Sequence, residues 1–201
     1  MKWKFVAALM MTFAMCVSLA GNLRLHADAF ADFAVEAQSA GEEEFEQLSP
    51  GLHAIAVPNV KQSRSLWCWA ASSVAVLGSR GISVTQDNFV RQQLNEVVNQ
   101  AGTVQNVVNG MRHWGLSSAF ADSGLQFGVV RQDLIANRPI VAGYFLQGGS
   151  IGHMVVISGL DTTISHYEVM DPALGRKVHH ATWDLAPGSS ALNWTASVRL
   201  R

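Results

Sequence analysis

Cys68 is the residue of this chain best suited to covalent chemistry. It is one of two cysteines, and the other, Cys16, lies in an N-terminal stretch laid out like a cleaved export signal. Removal of that stretch leaves one thiol with no internal disulfide partner, and a lone cysteine in an exported protein asks for a reason. Nucleophilic catalysis supplies one. A thiolate nucleophile needs a histidine to carry the proton and a third group to hold that histidine. Gly152-His153-Met154-Val155-Val156-Ile157 sets a histidine at the start of an apolar run, and Asp171 follows 18 residues later in Glu168-Val169-Met170-Asp171-Pro172. Gln62 precedes the cysteine by six residues. Its side-chain amide can reach back and join the Cys68 backbone N–H as a pair of donors for an oxyanion.

These residues must be positioned by elements that the sequence pattern also marks. Cys68 to Gly78 carries Ala70, Ala71, Val74, Ala75 and Leu77 at helical spacing, so a helix is expected to begin at the cysteine and end at Gly78 or Gly81. The positive end of that helix favours a thiolate. Thr85 is expected to cap a second helix bearing Phe89, Val90, Leu94, Val97 and Val98 on one face. Thr103 is expected to cap a third, with Val104, Val107, Val108 and Met111 in register and an end near Gly115. A short fourth is placed over Arg131 to Asn137, stopped by Pro139. Short β-branched or alternating runs then follow: Pro139 to Leu146, His153 to Leu160, His166 to Met170, Arg176 to Thr182 and Leu192 to Leu200. Helices first and strands second make the chain α+β. A strand, a turn at Thr162-Thr163 and a returning strand would bring His153 beside Asp171. Leu52 to Val60 reads as a short extended lead-in after Ser49-Pro50-Gly51.

Gln62, Cys68-Trp69-Ala70, Gly152-His153 and Asp171-Pro172, in this order, resemble papain-like cysteine peptidases. The Cys-Trp-Ala-Ala start and the Asp-Pro third position are most similar to the compact bacterial branch, which includes secreted effector peptidases and bacteriocin-leader peptidases. The resemblance covers roughly residues 56 to 185. It implies a helical half packed on a C-terminal antiparallel sheet with the cleft between them. It also implies Cys68 as nucleophile, His153 as general base and acid, Asp171 as the histidine orienter and Gln62 as the oxyanion donor. Plant papains usually carry asparagine where this chain has Asp171; an aspartate does the same orienting job. The chain also lacks papain's disulfides and is shorter, so the loops that shape substrate pockets differ.

The rest of the chain bounds the reading. Met1-Lys2-Trp3-Lys4, the uncharged run Phe5 to Ala20 and the small-residue exit Ala27-Asp28-Ala29 form a signal-peptide layout, expected over residues 1–29 with an earlier cleavage option after Ala20. Residues 30–50 hold six acidic side chains and no Lys or Arg, which reads as an acidic linker or a short propeptide. Residues 51–201 are expected to form the peptidase domain, with 11 basic and 8 acidic side chains, a net of +3. No basic stripe or nucleic-acid motif accompanies that charge, so nucleic acid is excluded as a partner. The apolar run of about 16 residues is shorter than a spanning helix, so no stable membrane insertion is expected after cleavage. The expected product is a secreted or periplasmic monomer acting on a peptide or protein substrate with no cofactor. No metal is expected either: His179 and His180 are strand neighbours pointing to opposite faces, without a thiolate or carboxylate cluster. His113 beside Trp114 at a helix end reads as structural, and His53 and His166 as surface residues. One of Trp67 and Trp69 is expected in the core and the other along the cleft. Gly148-Gly149-Ser150 is expected to border the site, either as a hairpin turn or as a backbone edge for an extended peptide. The same constellation also serves a transamidase or deamidase, or an inactive scaffold that only binds.

Overall fold

The computed structural model describes residues 51–146 and 152–201. The export signal, the acidic stretch and the Gly148-Gly149-Ser150 loop lie outside the described residues.

Helix α1, Cys68–Gly78, begins at the cysteine, and eight of its eleven residues are buried. A helix covered nearly all round belongs in a core. Its small residues let neighbours approach, and its two buried hydroxyls are satisfied: Ser72 Oγ donates to the Met154 carbonyl at 3.1 Å and Ser73 Oγ to that of Trp69 at 2.8 Å. The helix ends at Gly78, and the chain turns away at Gly81, with φ +74°, a conformation glycine adopts without steric cost.

Helix α2, Gln86–Leu94, starts at Thr85, whose hydroxyl accepts from Asn88 N–H. It stops earlier than its apolar pattern suggests. Asn95 turns left-handed at φ 61°, so Val97 and Val98 lie in the following loop. That loop anchors two aromatic side chains. The Val98 and Gln100 carbonyls accept the indole N–H groups of Trp67 and Trp69 at 2.8 and 3.1 Å. Both tryptophans are buried in the core, and of the two it is Trp69 that also lines the cleft. Helix α3, Val104–His113, carries a reciprocal capping box between Thr103 and Asn106. His113 lies edge-on to Trp114 at its end.

Eight strands among the described residues complete the chain: β1 Leu52–Ala54, β2 Phe120–Ser123, β3 Ile140–Leu146, β4 Gly152–Asp161, β5 His166–Asp171, β6 Arg176–Ala181, β7 Leu185–Ala186 and β8 Leu192–Arg199. A fourth helix, α4, spans Phe127–Ile135 between β2 and β3, four residues ahead of the expected start. The sheet order is β2-β8-β3-β4-β5-β6. β1 pairs with the far end of β4, and β7 joins β8 in the one parallel pairing among the described residues. The α+β reading is correct: α1 packs on β4, α2 and α3. No helix among the described residues is long and apolar enough to cross a membrane.

Candidate active site

Cys68 is the first residue of α1 and is half-buried, with a free thiol. The residue before it, Trp67, makes no side-chain cap. The thiol sits at the end of the helix that carries partial positive charge.

His153 is the second residue of β4 and Asp171 the last of β5. These strands pair antiparallel, with a register shift between Ile157 and Gly159, and their open ends bring the two side chains together. His153 Nε2 and Asp171 Oδ1 are 2.8 Å apart, and both groups are buried. With Nε2 engaged, Nδ1 is left for the hydrogen bond that the ring makes with the Cys68 thiol. Asp171 also accepts the Ala173 N–H through Oδ1 at 2.8 Å, and its carbonyl accepts from Gly175 at 2.8 Å. The carboxylate thus closes its own turn and holds the imidazole at once.

The electrostatics follow from this arrangement. Burial alone would lower the His153 pKa, but the charge and hydrogen bond of Asp171, and then Cys68, outweigh it and raise the value to about 10. Burial would raise Asp171, but the charge and hydrogen bond of His153 and the Ala173 N–H bring it below the usual carboxylate value. Near neutrality this is an imidazolium held by the Asp171 carboxylate. The stability consequence has a definite sign. A histidine that holds its proton more tightly folded than unfolded contributes fully below its ordinary 6.5, and that contribution is lost as pH rises toward about 10. Asp171 contributes above its ordinary 3.8 and loses that contribution as pH falls through its lowered value. The pair therefore stabilises most between these two ordinary values. Melting temperature should fall between pH 6.5 and 10, and His153→Gln should flatten that fall. Equal slopes in both proteins, measured by circular dichroism, would remove the imidazolium from the account.

Gln62 lies on the loop before α1. Its backbone N–H donates to the Pro172 carbonyl at 2.8 Å, which ties this loop to the residue after Asp171. Its Nε2 donates to the Ser65 carbonyl at 2.8 Å and the Arg64 carbonyl at 3.2 Å, while its buried Oε1 has no partner among the described residues. The structure thus brings Cys68, His153 and Asp171 into one hydrogen-bonded line. It places Gln62 beside that line, with its amide turned to its own loop. His53 is exposed, although its Nε2 meets the Leu134 carbonyl at 2.8 Å. His179 and His180 face Glu168 and Tyr167 across β6 and β5.

A cavity of about 390 Å³ opens at Cys68 and His153. One wall is the segment Ala101 to Val104; the other includes Phe145, Met154 and Ala196. Gly102 lies so close to Trp69 that a Cβ there would stand 2.2 Å from the indole, so backbone forms that part of the wall. Tyr144, opposite His153 on β3, also lines the cavity. Sequence reasoning missed it, because an apolar run carries no mark of which residue adjoins a histidine nine positions away.

The profile of the family described as papain-like cysteine protease AvrRpt2 matches residues 52–184. Among solved structures, the fold resembles a double glycine motif protease from an AMS/PCAT transporter, crystallised with the leader peptide. That match has 18% identity, covers 74% of this chain and 94% of the other, and has a TM-score of 0.52. It also resembles the peptidase domain of Streptococcus ComA, a bifunctional ABC transporter involved in a quorum-sensing pathway: 14% identity, 70% and 96% coverage, TM-score 0.53. Likeness at this identity is likeness of fold. No curated protein sequence matches the chain significantly. With the profile spanning well over half of its residues, the chain belongs to the papain-like cysteine protease AvrRpt2 family and is a papain-like cysteine peptidase.

Proposed function

We propose that this peptidase cleaves peptide bonds through a Cys68-His153-Asp171 triad and a thioester acyl-enzyme. The observation that carries this reading is the buried imidazole, bonded to Asp171 at 2.8 Å through Nε2 while it faces the thiol. The nucleophile is the thiolate paired with the His153 imidazolium. Its sulfur attacks the scissile carbonyl, and the electron pair of the C=O bond moves onto oxygen. The Cys68 N–H and one Gln62 N–H receive that oxyanion. The Arg64 contact, at 3.2 Å the longer of the two, is the one Gln62 gives up. His153 then donates its proton to the leaving amine as the C–N bond breaks. The neutral ring next takes a proton from water, which attacks the thioester; thiolate, imidazolium and a free carboxylic acid are regenerated.

The substrate is an extended peptide whose apolar side chain enters the cavity beside Phe145 and Met154. The leader peptide held by the similar transporter protease supports a peptide ligand at this cleft. Residues 1–29 are read as an export signal, so the enzyme acts outside the cytoplasm; a mature N-terminus still at Met1 would refute this.

The test is mass spectrometry of a peptide library incubated with the purified protein. Cleavage gives two fragments that together gain one water. His153→Ala should lower the rate by roughly 10²–10⁴-fold, the range for a removed acid–base group. Products with the backbone intact and a side-chain amide converted to acid, or coupled to an amine, would replace peptidase with deamidase or transamidase. Unchanged cleavage in His153→Ala would refute the triad.

A further inference from the structure

The Gln62 amide must turn from its own loop toward the oxyanion, and a turned side chain is only as well placed as the backbone that bears it. A second glutamine holds that backbone. Gln86, the first residue of α2, spans Gln62: its Oε1 accepts the Ser63 N–H at 2.9 Å, and its Nε2 donates to the Lys61 carbonyl at 2.8 Å. One side-chain amide thus does for Lys61 and Ser63 what a neighbouring strand does in a sheet, with one donor and one acceptor. The N–H of Gln62 itself goes to the Pro172 carbonyl at 2.8 Å. Gly175, in the same turn as Pro172, lies so close that a Cβ there would stand 2.6 Å from the Lys61 Cβ. Three consecutive residues are therefore pinned between the start of α2 and the turn after Asp171. The cysteine end of the loop is tied separately. Asn99 Oδ1 accepts the Leu66 N–H at 3.0 Å, and Asn99 Nδ2 donates to Ser65 Oγ at 2.9 Å. The Arg64 carbonyl, which Gln62 gives up, keeps the Trp67 N–H at 3.0 Å. The Gln62 amide can leave it without stranding a carbonyl, and both ends of the loop stay bonded.

Resting on the reading of Gln62 as an oxyanion donor, we propose that Gln86 is a positioning residue for the oxyanion site: its amide fixes the backbone from Lys61 to Ser63, so that the Gln62 side chain alone turns as the tetrahedral intermediate forms. Gln86 touches neither the substrate nor the thiol. It acts through Gln62, and its loss misplaces a donor instead of removing one.

Two reagents separate support of the oxyanion from support of the thiolate. p-Nitrophenyl acetate acylates the Cys68 sulfur through a tetrahedral oxyanion and releases p-nitrophenolate. Iodoacetamide alkylates the same sulfur by displacing iodide, and no oxyanion forms. Gln62→Ala should slow acylation by about 10²-fold, the low end for a lost oxyanion donor, and leave alkylation within about twofold of wild type. Gln86→Ala should slow acylation by about tenfold, because misplacement by an ångström can cost more than this, and should also leave alkylation within about twofold. In a Gln62→Ala background, Gln86→Ala should cost nothing further. Wild-type acylation in Gln86→Ala overturns the proposal. So does a full tenfold cost in the Gln62→Ala background, or a parallel loss of alkylation, which would make Gln86 a support of the thiolate. Gln86→Met, unbranched and similar in length but without either hydrogen bond, covers the case in which Gln86→Ala does not fold; it should show the same selective loss, and wild-type acylation there also overturns the proposal. Failure of the underlying reading looks different: Gln62→Ala itself would acylate at the wild-type rate, and the proposal would fall with it.

Discussion

Replacing Cys68 with alanine should reduce peptide hydrolysis by about 10⁴-fold or more while leaving the fold intact. The size follows from the way a nucleophile, its base and its orienter act as a unit: losing the nucleophile forfeits nearly all covalent catalysis and leaves only binding and oxyanion stabilisation. The preserved fold follows from position. Cys68 is half-buried at the first turn of α1, where helix propensity and packing change little on loss of one sulfur. The buried His153–Asp171 bond, the Ala173 N–H on Asp171 and the burial of α1 do not involve that atom. Cys68→Ser should fare almost as badly, since a serine hydroxyl does not ionise near neutrality and the imidazolium has no proton vacancy with which to activate it. Fragment release by mass spectrometry and melting by circular dichroism check both parts. If Cys68→Ala keeps a tenth of the activity, the thiol is not the nucleophile. If it loses activity and melts far lower, the loss reports unfolding instead.

Much of this site was legible because its residues also carry local signals. The helix beginning at Cys68, the threonine caps at Thr85 and Thr103, and the strands that bear His153 and Asp171 all follow from spacing and turn chemistry. What escaped reading was decided by tertiary partners. Val97 and Val98 fit the apolar face of α2, yet two indole N–H groups need carbonyls from that segment, and Asn95 turns the chain to provide them. The start of α4 was hidden because Gln126 offers no side-chain cap and Gly128 follows within the first turn. β2 and β7 are too short, at four and two residues, to show a period; they exist because β8 offers edges to pair with. Gln62 was marked as a donor by spacing alone, and spacing could not reveal that Arg64 and Ser65 carbonyls take its amide in the resting protein. Tyr144 was invisible for a similar reason. Its meaning lies in the cross-strand register, which alternation along one strand does not specify.

The largest effect on stability should come from a residue far from the thiol. Asp133, on α4, is only 1% exposed, and among the described residues its carboxylate is hydrogen-bonded to arginines, not to the catalytic residues. Its Oδ1 accepts two N–H groups of Arg138, at 3.0 and 2.8 Å, and its Oδ2 accepts Arg199 Nε at 2.6 Å. Arg199 extends the chain to Asp122 at 2.8 Å. One carboxylate thus joins α4, the turn into β3, β8 and β2, and so fixes the strand that carries Tyr144 and the strand that backs it. Removing one member of a buried, hydrogen-bonded charge network leaves the others uncompensated, at a cost of about 3–5 kcal/mol. Arg138 and Arg199 keep 32% and 19% side-chain exposure, so water recovers part of that cost and the lower end applies. Asp133→Ala should therefore destabilise the protein by about 3 kcal/mol, or roughly 6–12 °C in melting temperature for a domain of this size. Asp133→Asn keeps an acceptor for one guanidinium and should cost visibly less. A double-mutant cycle with Arg199→Met separates the pair from the rest of the network. If the network is the cause, Asp133→Ala in that background should cost distinctly less than in wild type. Equal costs in the two backgrounds would show that Asp133 does not act through Arg199.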